Sequence, residues 1–381
     1  MIARSAKFWL AVLCLLAPAA LRAEDSPPLP VRIAPDNEDI RYTGRFDTRD
    51  AKACVFGWSG CQIQVRFEGT ALNMLMRDSA SGRPSKVRGT NNNYFNVIVD
   101  GKEPVVLGLE KDRTVYRIAD DLPAGDHTVT IFRRTEPLWG EVTFLGLQLP
   151  AGASLKPLPP RPERRIEFIG DSITAGYGNE GTGPKENFCP FTQNNYLAYG
   201  AVTARKLNAE YLCFAWSGEG VYRNRSEKTD RVLPILYTRT LPRRADGAWE
   251  FKGPKADVVV INLCTNDFAF TIPEQEPFTK AYLGLIATIR KNHPAAHIFC
   301  CVGPMMGDTR PNGKPGLSTV RRYLTEMVEA LGKEGEAKVH YFEFAPQDHR
   351  NGLGSSYHPS VKTHGIMAEA LTEAIRKTMD W

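Results

Sequence analysis

The sequence lacks the features of a nucleic-acid-binding or membrane-spanning protein. Its formal net charge is +5, which falls to +2 without residues 1–23, because that segment carries three bases and no acid. No basic excess therefore predicts nucleic acid as a partner. After residue 23, no stretch approaches the ~20 consecutive apolar residues that span a bilayer. Internal repeats and low-complexity tracts are also missing, and an apolar content of 42% is typical of a globular protein.

Two catalytic signatures are missing as well. The seven histidines show no metal-ligand spacing such as His-Glu-x-x-His, so neither a metal nor an organic cofactor is expected. The six that carry no predicted role, at positions 127, 293, 297, 340, 349 and 364, are interpreted as surface or structural residues. The Gly-x-Ser-x-Gly elbow of α/β-hydrolases is also absent, because Gly170 is followed by Thr174 at its last position.

Residues 1–23 have the pattern of a secretory signal peptide. Arg4 and Lys7 precede a short apolar core, and small residues follow up to two candidate cleavage sites, after Ala19 or Ala23. We therefore expect a secreted or periplasmic protein with no membrane contact after cleavage; an uncleaved anchor is the alternative. In such an oxidising compartment, Cys54 and Cys61, which flank a turn, are candidates for a disulfide. The other cysteines of the mature chain are interpreted as buried small apolar residues.

The chain is predicted to contain two domains, since 381 residues exceed the ~250–300 that one core usually supports. Residues 31–150 contain short alternating runs between Gly, Asp and Pro turns, which predicts an all-β, jelly-roll-like sandwich. Residues 151–164, with four prolines, predict a stiff linker. Residues 165–381 alternate strand and helix patterns, which predicts a parallel-sheet α/β domain. Its predicted helices span 195–207, 280–291, 317–331 and 362–379, and its later strands 210–214, 258–263, 297–302 and 338–342.

Ser172 is the candidate nucleophile. A buried strand pattern at 166–169 leads into Gly170-Asp171-Ser172, and a strand-to-helix turn presents a side chain beyond the carboxyl edge of a sheet. The alternative is an ordinary Asp-Ser helix cap.

Two later positions supply groups that a serine nucleophile needs. Asn266 follows the buried strand 258–263, and His358 precedes the last predicted helix. A neutral serine needs a base, and the imidazole of His358 with an ordinary pKa of ~6.5 is suited to that role. The Asn266 amide and the Ser172 backbone N–H are candidate donors to an oxyanion. Singly, Asn266 also fits an Asx-turn, His358 a loop, and Gly218 a turn glycine.

Four blocks in this order resemble the SGNH (GDSL-type) hydrolases over about residues 164–380: Gly170-Asp171-Ser172, Ser217-Gly218, Thr265-Asn266-Asp267 and His358-Pro359. The resemblance implies Ser172 as nucleophile, His358 as base, and the Ser172 N–H, the Gly218 N–H and the Asn266 amide as oxyanion donors. It also supports an SGNH-type fold for the second domain.

The sequence departs from that family at the group that orients the histidine. Many members carry an aspartate two or three residues before it, where this chain has Ser356 and Ser355. The imidazole still needs a partner that fixes its tautomer. We expect a Ser-His dyad oriented by a main-chain carbonyl, with Ser356 or Asp348 as alternatives.

The order of β-sandwich, proline-rich segment and SGNH domain resembles carbohydrate esterase family 2, over about residues 35–380. That resemblance implies removal of acetyl groups from xylan or glucomannan, with preference for the 6-hydroxyl of hexoses. The expected partner is thus an acetylated polysaccharide or oligosaccharide; no oligomeric state follows. Trp216 and Tyr357, next to the motifs, are candidate sugar contacts or packing residues. A lipolytic esterase and a polysaccharide-binding protein with a decayed site are the rival functions.

Overall fold

The computed structural model describes residues 28–79 and 93–381, so the predicted signal peptide, residues 1–23, lies outside the described residues. Antiparallel sheets form the first part and a parallel α/β domain the second, which confirms the predicted fold class. The strands of the first part are β1 (Val31–Ile33), β2 (Arg41–Thr43), β3 (Phe46–Asp50), β4 (Ala53–Phe56), β5 (Gln62–Glu68), β6 (Leu72–Asp78), β7 (Tyr94–Val99), β8 (Val105–Gly108), β9 (Val115–Ala119), β10 (Asp126–Arg133), β11 (Val142–Leu149) and β12 (Ser154–Lys156).

These strands form two sheets that pack face to face. One has the order β3-β4-β11-β6-β9 with β1 on β11, and the other has the order β12-β5-β10-β7-β8 with β2 on β5. Strand β5 shows why they pack, since Ile63, Val65 and Phe67 are buried while the residues between them are partly exposed. Phe56 and Phe95, one from each sheet, meet edge to face at 6.2 Å. The alternating pattern therefore builds a sandwich core.

The segment expected to be a linker differs from the prediction. Residues Ser154–Lys156 form β12, which pairs antiparallel with the edge of β5. Leu155 packs against the sandwich core, and this burial favours a strand there in spite of the neighbouring prolines. The next strand begins at Arg164, so the connection between the domains is shorter than the expected 151–164.

The second domain has a parallel sheet with helices on both faces. In chain order its elements are β13 (Arg164–Gly170), α1 (Ser172–Ala175), α2 (Tyr199–Lys206), β14 (Ala209–Ala215), α3 (Leu233–Leu236), β15 (Val258–Leu263), α4 (Gln275–Asn292), β16 (His297–Val302), α5 (Gly316–Lys333), β17 (Val339–Glu343) and α6 (Val361–Met379). The strand order is β14-β13-β15-β16-β17. On β15, Val258 and Val260 pack on the side of α2 and α6, whereas Val259 and Ile261 pack on the side of α4 and α5. This two-sided burial explains the continuous apolar run.

The predicted helices and strands of this domain are present, with boundaries that differ by a few residues. Helix α4 begins at Gln275, before the predicted residue 280. Helix α2 begins after the predicted residue 195, because Asn195–Leu197 forms a separate 3₁₀ turn. Further 3₁₀ turns are Pro137–Trp139, Pro190–Thr192, His349–Asn351 and Ser355–Tyr357. Within the described ranges, no helix combines the length and apolar content needed to cross a bilayer.

The two domains share one hydrophobic core. Trp58 of the sandwich meets Phe214 of β14 edge to face at 5.6 Å. The buried guanidinium of Arg45 lies 3.9 Å above the Phe214 ring and donates a hydrogen bond of 3.0 Å to the Arg239 carbonyl. The sandwich is therefore packed firmly against the α/β domain.

The cysteines of the described residues are all buried free thiols. This differs from the candidate bridge between Cys54 and Cys61, which the structure leaves as two separate thiols in the sandwich core. Their burial agrees with the expected role of the other cysteines as small apolar residues.

Candidate active site

Ser172 lies just beyond the carboxyl end of β13, an interior strand of the sheet, and is the first residue of the short helix α1. Asp171 caps the short helix α1 by accepting a 2.9 Å hydrogen bond from the Ile173 N–H. Gly170 is required by space, because a Cβ there would lie 2.0 Å from the Thr174 hydroxyl oxygen. The Asp-Ser cap and the position of the candidate nucleophile are therefore features of the same turn.

His358 is hydrogen-bonded to Ser172. Its Nε2 atom lies 2.8 Å from the Ser172 Oγ, although the two residues are 186 positions apart. The His358 residue is fixed just before α6, whose N-cap is Ser360. Burial, together with the positive charge of Arg225, lowers the pKa of His358 to about 4. The imidazole is therefore neutral near pH 7, with Nε2 free to accept the serine proton.

The other imidazole nitrogen faces a main-chain carbonyl. His358 Nδ1–H donates to the Ser356 carbonyl oxygen at 3.2 Å. Ser356 and Tyr357 have φ angles of 53° and 65°, a left-handed conformation that costs ~1–2 kcal/mol per residue. The Gln347 side chain donates a 2.9 Å hydrogen bond to the Tyr357 carbonyl and supports this turn.

The two side chains considered as alternative orienting groups lie elsewhere. Asp348 accepts hydrogen bonds from the Arg350 side chain, the shorter being 2.8 Å, and from the Arg350 N–H. Neither ring hydrogen bond of His358 goes to the Asp348 carboxylate or to the Ser356 hydroxyl. Ser355, at one of the two positions where many related hydrolases carry the aspartate, is buried so closely that Cβ atoms on Gly178 and Gly181 would collide with it.

The oxyanion candidates come from the strands on either side of β13. In the parallel register, Gly170 is aligned with Ala215 of β14 and with Asn262 of β15. The loops that carry Gly218 and Asn266 therefore begin beside the Ser172 turn. Gly218 has a φ of 86°, in the region that favours glycine, so it is a turn glycine as well as a candidate donor.

The Asn266 amide is oriented by two acceptors. Its Nδ2 atom donates to the Glu219 carbonyl at 2.9 Å and to the Asp171 carboxylate at 3.3 Å. The second contact is long for a hydrogen bond to a carboxylate. Burial raises the pKa of Asp171 to about 7.

Two carboxylates in the site were not assigned a role from the sequence. Asp267 accepts three backbone hydrogen bonds, from Val221, Tyr222 and Arg223, at 2.7–3.1 Å, and thereby fixes the loop after Gly218. Its place directly after Asn266 was an available signal. Glu136 of the sandwich accepts two hydrogen bonds from Ser217, and no motif in its own segment indicated this contact.

The fold and this site can be compared with known proteins. Residues 42–159 match the family model "Carbohydrate esterase 2 N-terminal", and residues 168–366 match the "GDSL-like Lipase/Acylhydrolase family". A family two carbohydrate esterase from Clostridium thermocellum, solved in complex with cellohexaose, is 39% identical with a TM-score of 0.82, covering 90% of this chain and 99% of that one. The chain belongs to carbohydrate esterase family 2. It is therefore a carboxylic ester hydrolase.

Two relatives of this family 2 esterase are also named as esterases. The cellulase/esterase CelE of Acetivibrio thermocellus is 39% identical over 349 residues, which are 91% of this chain but only 40% of CelE. An acetylxylan esterase / glucomannan deacetylase of Cellvibrio japonicus is 28% identical over 92% of this chain and 91% of its own length. The chain thus spans less than half of CelE and nearly all of the Cellvibrio enzyme.

Aromatic rings border His358, the candidate base of the esterase. Tyr177 packs against the His358 ring at 4.5 Å and stacks on Phe188 at 3.7 Å. Tyr357 is 48% exposed and remains a candidate sugar contact. Trp216 is only 3% exposed, and the Arg231 guanidinium covers its ring at 4.4 Å. Of the two roles that the sequence left open for Trp216, its burial and the cover by Arg231 favour packing.

A small cavity of the esterase opens beside the candidate oxyanion donor Asn266. Its volume is about 190 Å³, and Asn266, Met305 and the guanidinium-bearing residues Arg225 and Arg310 line it. A larger cavity of about 450 Å³, between β3 and residues 240–252, contains none of the catalytic candidates. Within the described part of the chain, no cluster of three or more His, Cys, Asp or Glu side chains is placed to hold a metal ion.

Proposed function

We propose that this family 2 esterase removes acetyl groups from plant polysaccharides, xylan or glucomannan, with the 6-O-acetyl group of hexoses as the preferred substrate. The observation that carries the proposal is the 2.8 Å hydrogen bond between Ser172 and His358 at the carboxyl edge of the sheet. The names of the Cellvibrio relatives, which couple acetylxylan and glucomannan, support the substrate class.

The proposed reaction is acyl transfer through an acetyl-enzyme. Ser172 Oγ attacks the acetyl carbonyl carbon while His358 Nε2 takes the hydroxyl proton. The tetrahedral oxyanion accepts hydrogen bonds from the Ser172 N–H, the Gly218 N–H and the Asn266 amide. The imidazolium of His358 then gives its proton to the sugar oxygen as the bond between that oxygen and the acetyl carbon breaks, so the sugar leaves with a free hydroxyl. His358 next activates a water molecule, which releases acetate and restores Ser172.

The Asn266 amide has to exchange one partner during this reaction. Of its two contacts, the 3.3 Å one to Asp171 is the weaker, so we expect the developing oxyanion to replace it while the 2.9 Å bond to the Glu219 carbonyl is kept. The new hydrogen bond from Asn266 to the oxyanion is strongest in the transition state, where the negative charge on that oxygen is largest.

The cavity beside Asn266 favours a short acyl group. Its volume of about 190 Å³ lies below the ~300–1,000 Å³ of pockets that enclose larger ligands. Its lining mixes polar and charged residues with apolar ones, so it is not the long apolar groove that an extended acyl chain would occupy. This supports a carbohydrate substrate over the lipolytic alternative. The intact Ser172–His358 contact likewise supports turnover over the alternative of a binding protein with a decayed site.

We also propose that the enzyme is exported and works outside the cytoplasm. The support is the charge and apolar pattern of residues 1–23 in the sequence. Expression of the whole chain in a bacterial host, followed by N-terminal sequencing of the periplasmic fraction, tests this. A new N-terminus at residue 20 or 24 is expected; recovery of the full-length chain with the membranes would contradict it.

The catalytic proposal is tested by acetate release from acetylated glucomannan and acetylated xylan, and by fatty-acid release from a long-chain acyl ester. We expect release from the polysaccharides by the mature chain and none by Ser172→Ala. Hydrolysis of the long-chain ester alone would move the function to lipolysis. Binding of both proteins to insoluble polysaccharide without release of acetate would instead favour the binding-protein alternative.

A further inference from the structure

Glu136 reaches the oxyanion loop from the other domain. It lies between β10 and β11 of the sandwich, immediately before the 3₁₀ turn Pro137–Trp139, and its residue is fully buried. One carboxylate oxygen accepts the Ser217 backbone N–H and the other accepts the Ser217 hydroxyl, both at 2.6 Å. Ser217 directly precedes the oxyanion candidate Gly218.

This contact controls the peptide that carries the oxyanion donor. The Gly218 N–H belongs to the peptide unit between residues 217 and 218, so fixing Ser217 at two atoms limits rotation of that plane. Gly218 itself offers little resistance to rotation, because no heavy atom lies within 4 Å of the place where its Cβ would be. A glycine loop therefore needs an external support to keep its N–H aimed at one point.

Supports of the same kind hold the loop beyond Gly218. The Gly218 carbonyl accepts the Arg225 N–H at 2.8 Å, and the Asp267 carboxylate accepts the backbone N–H groups that begin three residues after Gly218. One buried carboxylate from each domain thus holds one end of the loop. Asp267 belongs to the SGNH motif, whereas Glu136 is supplied only by the sandwich.

The segment that carries Glu136 is itself rigid. The buried Arg133 guanidinium donates to the Gly140 carbonyl at 2.6 Å and to the Glu136 carbonyl at 3.4 Å, so it contacts both ends of the turn. Trp139 of the same turn stacks on Phe188 at 5.6 Å. Phe188 in turn stacks on Tyr177, the residue packed against the catalytic histidine.

The charge of Glu136 does not explain its presence. A carboxylate near an oxyanion site opposes the negative charge that forms there. Burial of this group is also unfavourable and raises the pKa of Glu136 to about 7. A contribution to catalysis must therefore come from the geometry that its two hydrogen bonds impose.

We propose that Glu136 is a positioning residue for the Gly218 oxyanion donor, so that the β-sandwich completes the catalytic centre and is not a separable glycan-binding module. The proposal rests on the proposed function of Ser172, His358 and Gly218. It does not depend on which polysaccharide is the substrate.

The test compares Glu136→Ala and Glu136→Gln with the matched control Glu141→Ala, using 4-nitrophenyl acetate. Glu141 is also a buried sandwich carboxylate, and it pairs across the same interface with Arg244 at 2.6 Å without touching the oxyanion loop. Loss of one oxyanion donor typically lowers kcat ~10²–10³-fold, so we expect about a 10²-fold fall for Glu136→Ala with KM nearly unchanged. Gln accepts the Ser217 N–H and donates to its hydroxyl, so Glu136→Gln should recover most of kcat.

Thermal unfolding of each variant gives the folded fraction to which kcat is normalised. Ser217→Ala removes the hydroxyl that donates one of the two hydrogen bonds to Glu136, and it should lower kcat less than Glu136→Ala does. It replaces Glu136→Ala as the test variant if that variant does not fold. An equal fall of kcat for Glu141→Ala would overturn the proposal in favour of general domain docking. The proposal would also be overturned if Glu136→Gln did not recover kcat, if the substitutions changed only KM, or if kcat were unchanged in Glu136→Ala. Failure of the polysaccharide assay with normal cleavage of 4-nitrophenyl acetate would refute the substrate proposal alone.

Discussion

Loss of the Asp348 carboxylate should leave catalysis intact, although many related hydrolases use an aspartate to orient the histidine. In this chain the acceptor for His358 Nδ1–H is the Ser356 carbonyl at 3.2 Å, and no side-chain substitution removes a main-chain carbonyl. Asp348 binds Arg350 instead. We therefore expect Asp348→Asn to change kcat by less than about 2-fold, the usual effect of a surface substitution away from the reacting groups.

The Ser356 hydroxyl is tested in the same way by Ser356→Gly. The substitution keeps the carbonyl, and glycine adopts the φ of 53° without the ~1–2 kcal/mol that an L-residue needs there. Because glycine also loses ~0.5–1 kcal/mol through the entropy of the unfolded chain, the melting temperature should be nearly unchanged. The kcat of the double variant Asp348→Asn/Ser356→Gly should still be close to that of the wild type.

The assay is steady-state hydrolysis of 4-nitrophenyl acetate, with His358→Ala as the inactive reference. Removal of a true orienting aspartate in a serine triad lowers kcat by ~10⁴-fold, so the two outcomes are well separated. A fall of 10²-fold or more in Asp348→Asn, in a protein with a normal melting temperature, would refute the dyad with a carbonyl orienting group. Such a fall in Ser356→Gly alone would assign the role to the hydroxyl.

Three further predictions follow from the site and the core. Asn266→Ala should lower kcat by ~10²–10³-fold with a smaller change in KM, and a loss below tenfold would contradict its oxyanion role. The pKa of His358, followed by histidine-selective NMR with His358→Gln for assignment, should lie well below 6.5 and near 4, because burial disfavours the imidazolium. The pKa of His358 should rise in Arg225→Gln, because that substitution removes a nearby positive charge. A pKa at or above 6.5 in the wild type would contradict a base that is kept neutral by burial. Ellman's reagent should find seven thiols in the denatured mature chain and almost none in the native one, because every described cysteine is buried and free; five in the denatured chain would reveal a bridge.

Much of the fold was predictable because its signals are local. The alternating run in β5 and the continuous apolar run in β15 depend only on the period at which neighbouring side chains face the core. An Asp-Gly dipeptide favours a tight hairpin turn, and Asp100 and Gly101 both have the positive φ that such a turn requires. The strand in the proline-rich segment was harder to predict. Strand β12 forms because it pairs with an edge of the sandwich, and the proline content of the segment gives no sign of that pairing.

The site, like the fold, has some features that the local sequence indicates and others that only tertiary contacts decide. The Gly-Asp-Ser block after an apolar strand indicated the position of Ser172, since the end of a parallel strand is a predictable place for a functional side chain. Trp216 was ambiguous, because its place beside a motif fits both a sugar platform and a packing residue. Only its neighbour Arg231, which covers the ring, decides for packing.

The sequence by itself determined the two-domain order, the periodic strands and helices and the residues able to act as nucleophile, base and oxyanion donors, because these follow from residue type and near neighbours. Tertiary structure alone decided which groups support them. Glu136 and Ser217 are 81 positions apart, and their contact exists only because the sandwich packs against the α/β domain. The carbonyl that accepts from His358 is a group every residue possesses, so only the left-handed turn at Ser356 and Tyr357, which points it at the imidazole, distinguishes it from the rest of the backbone.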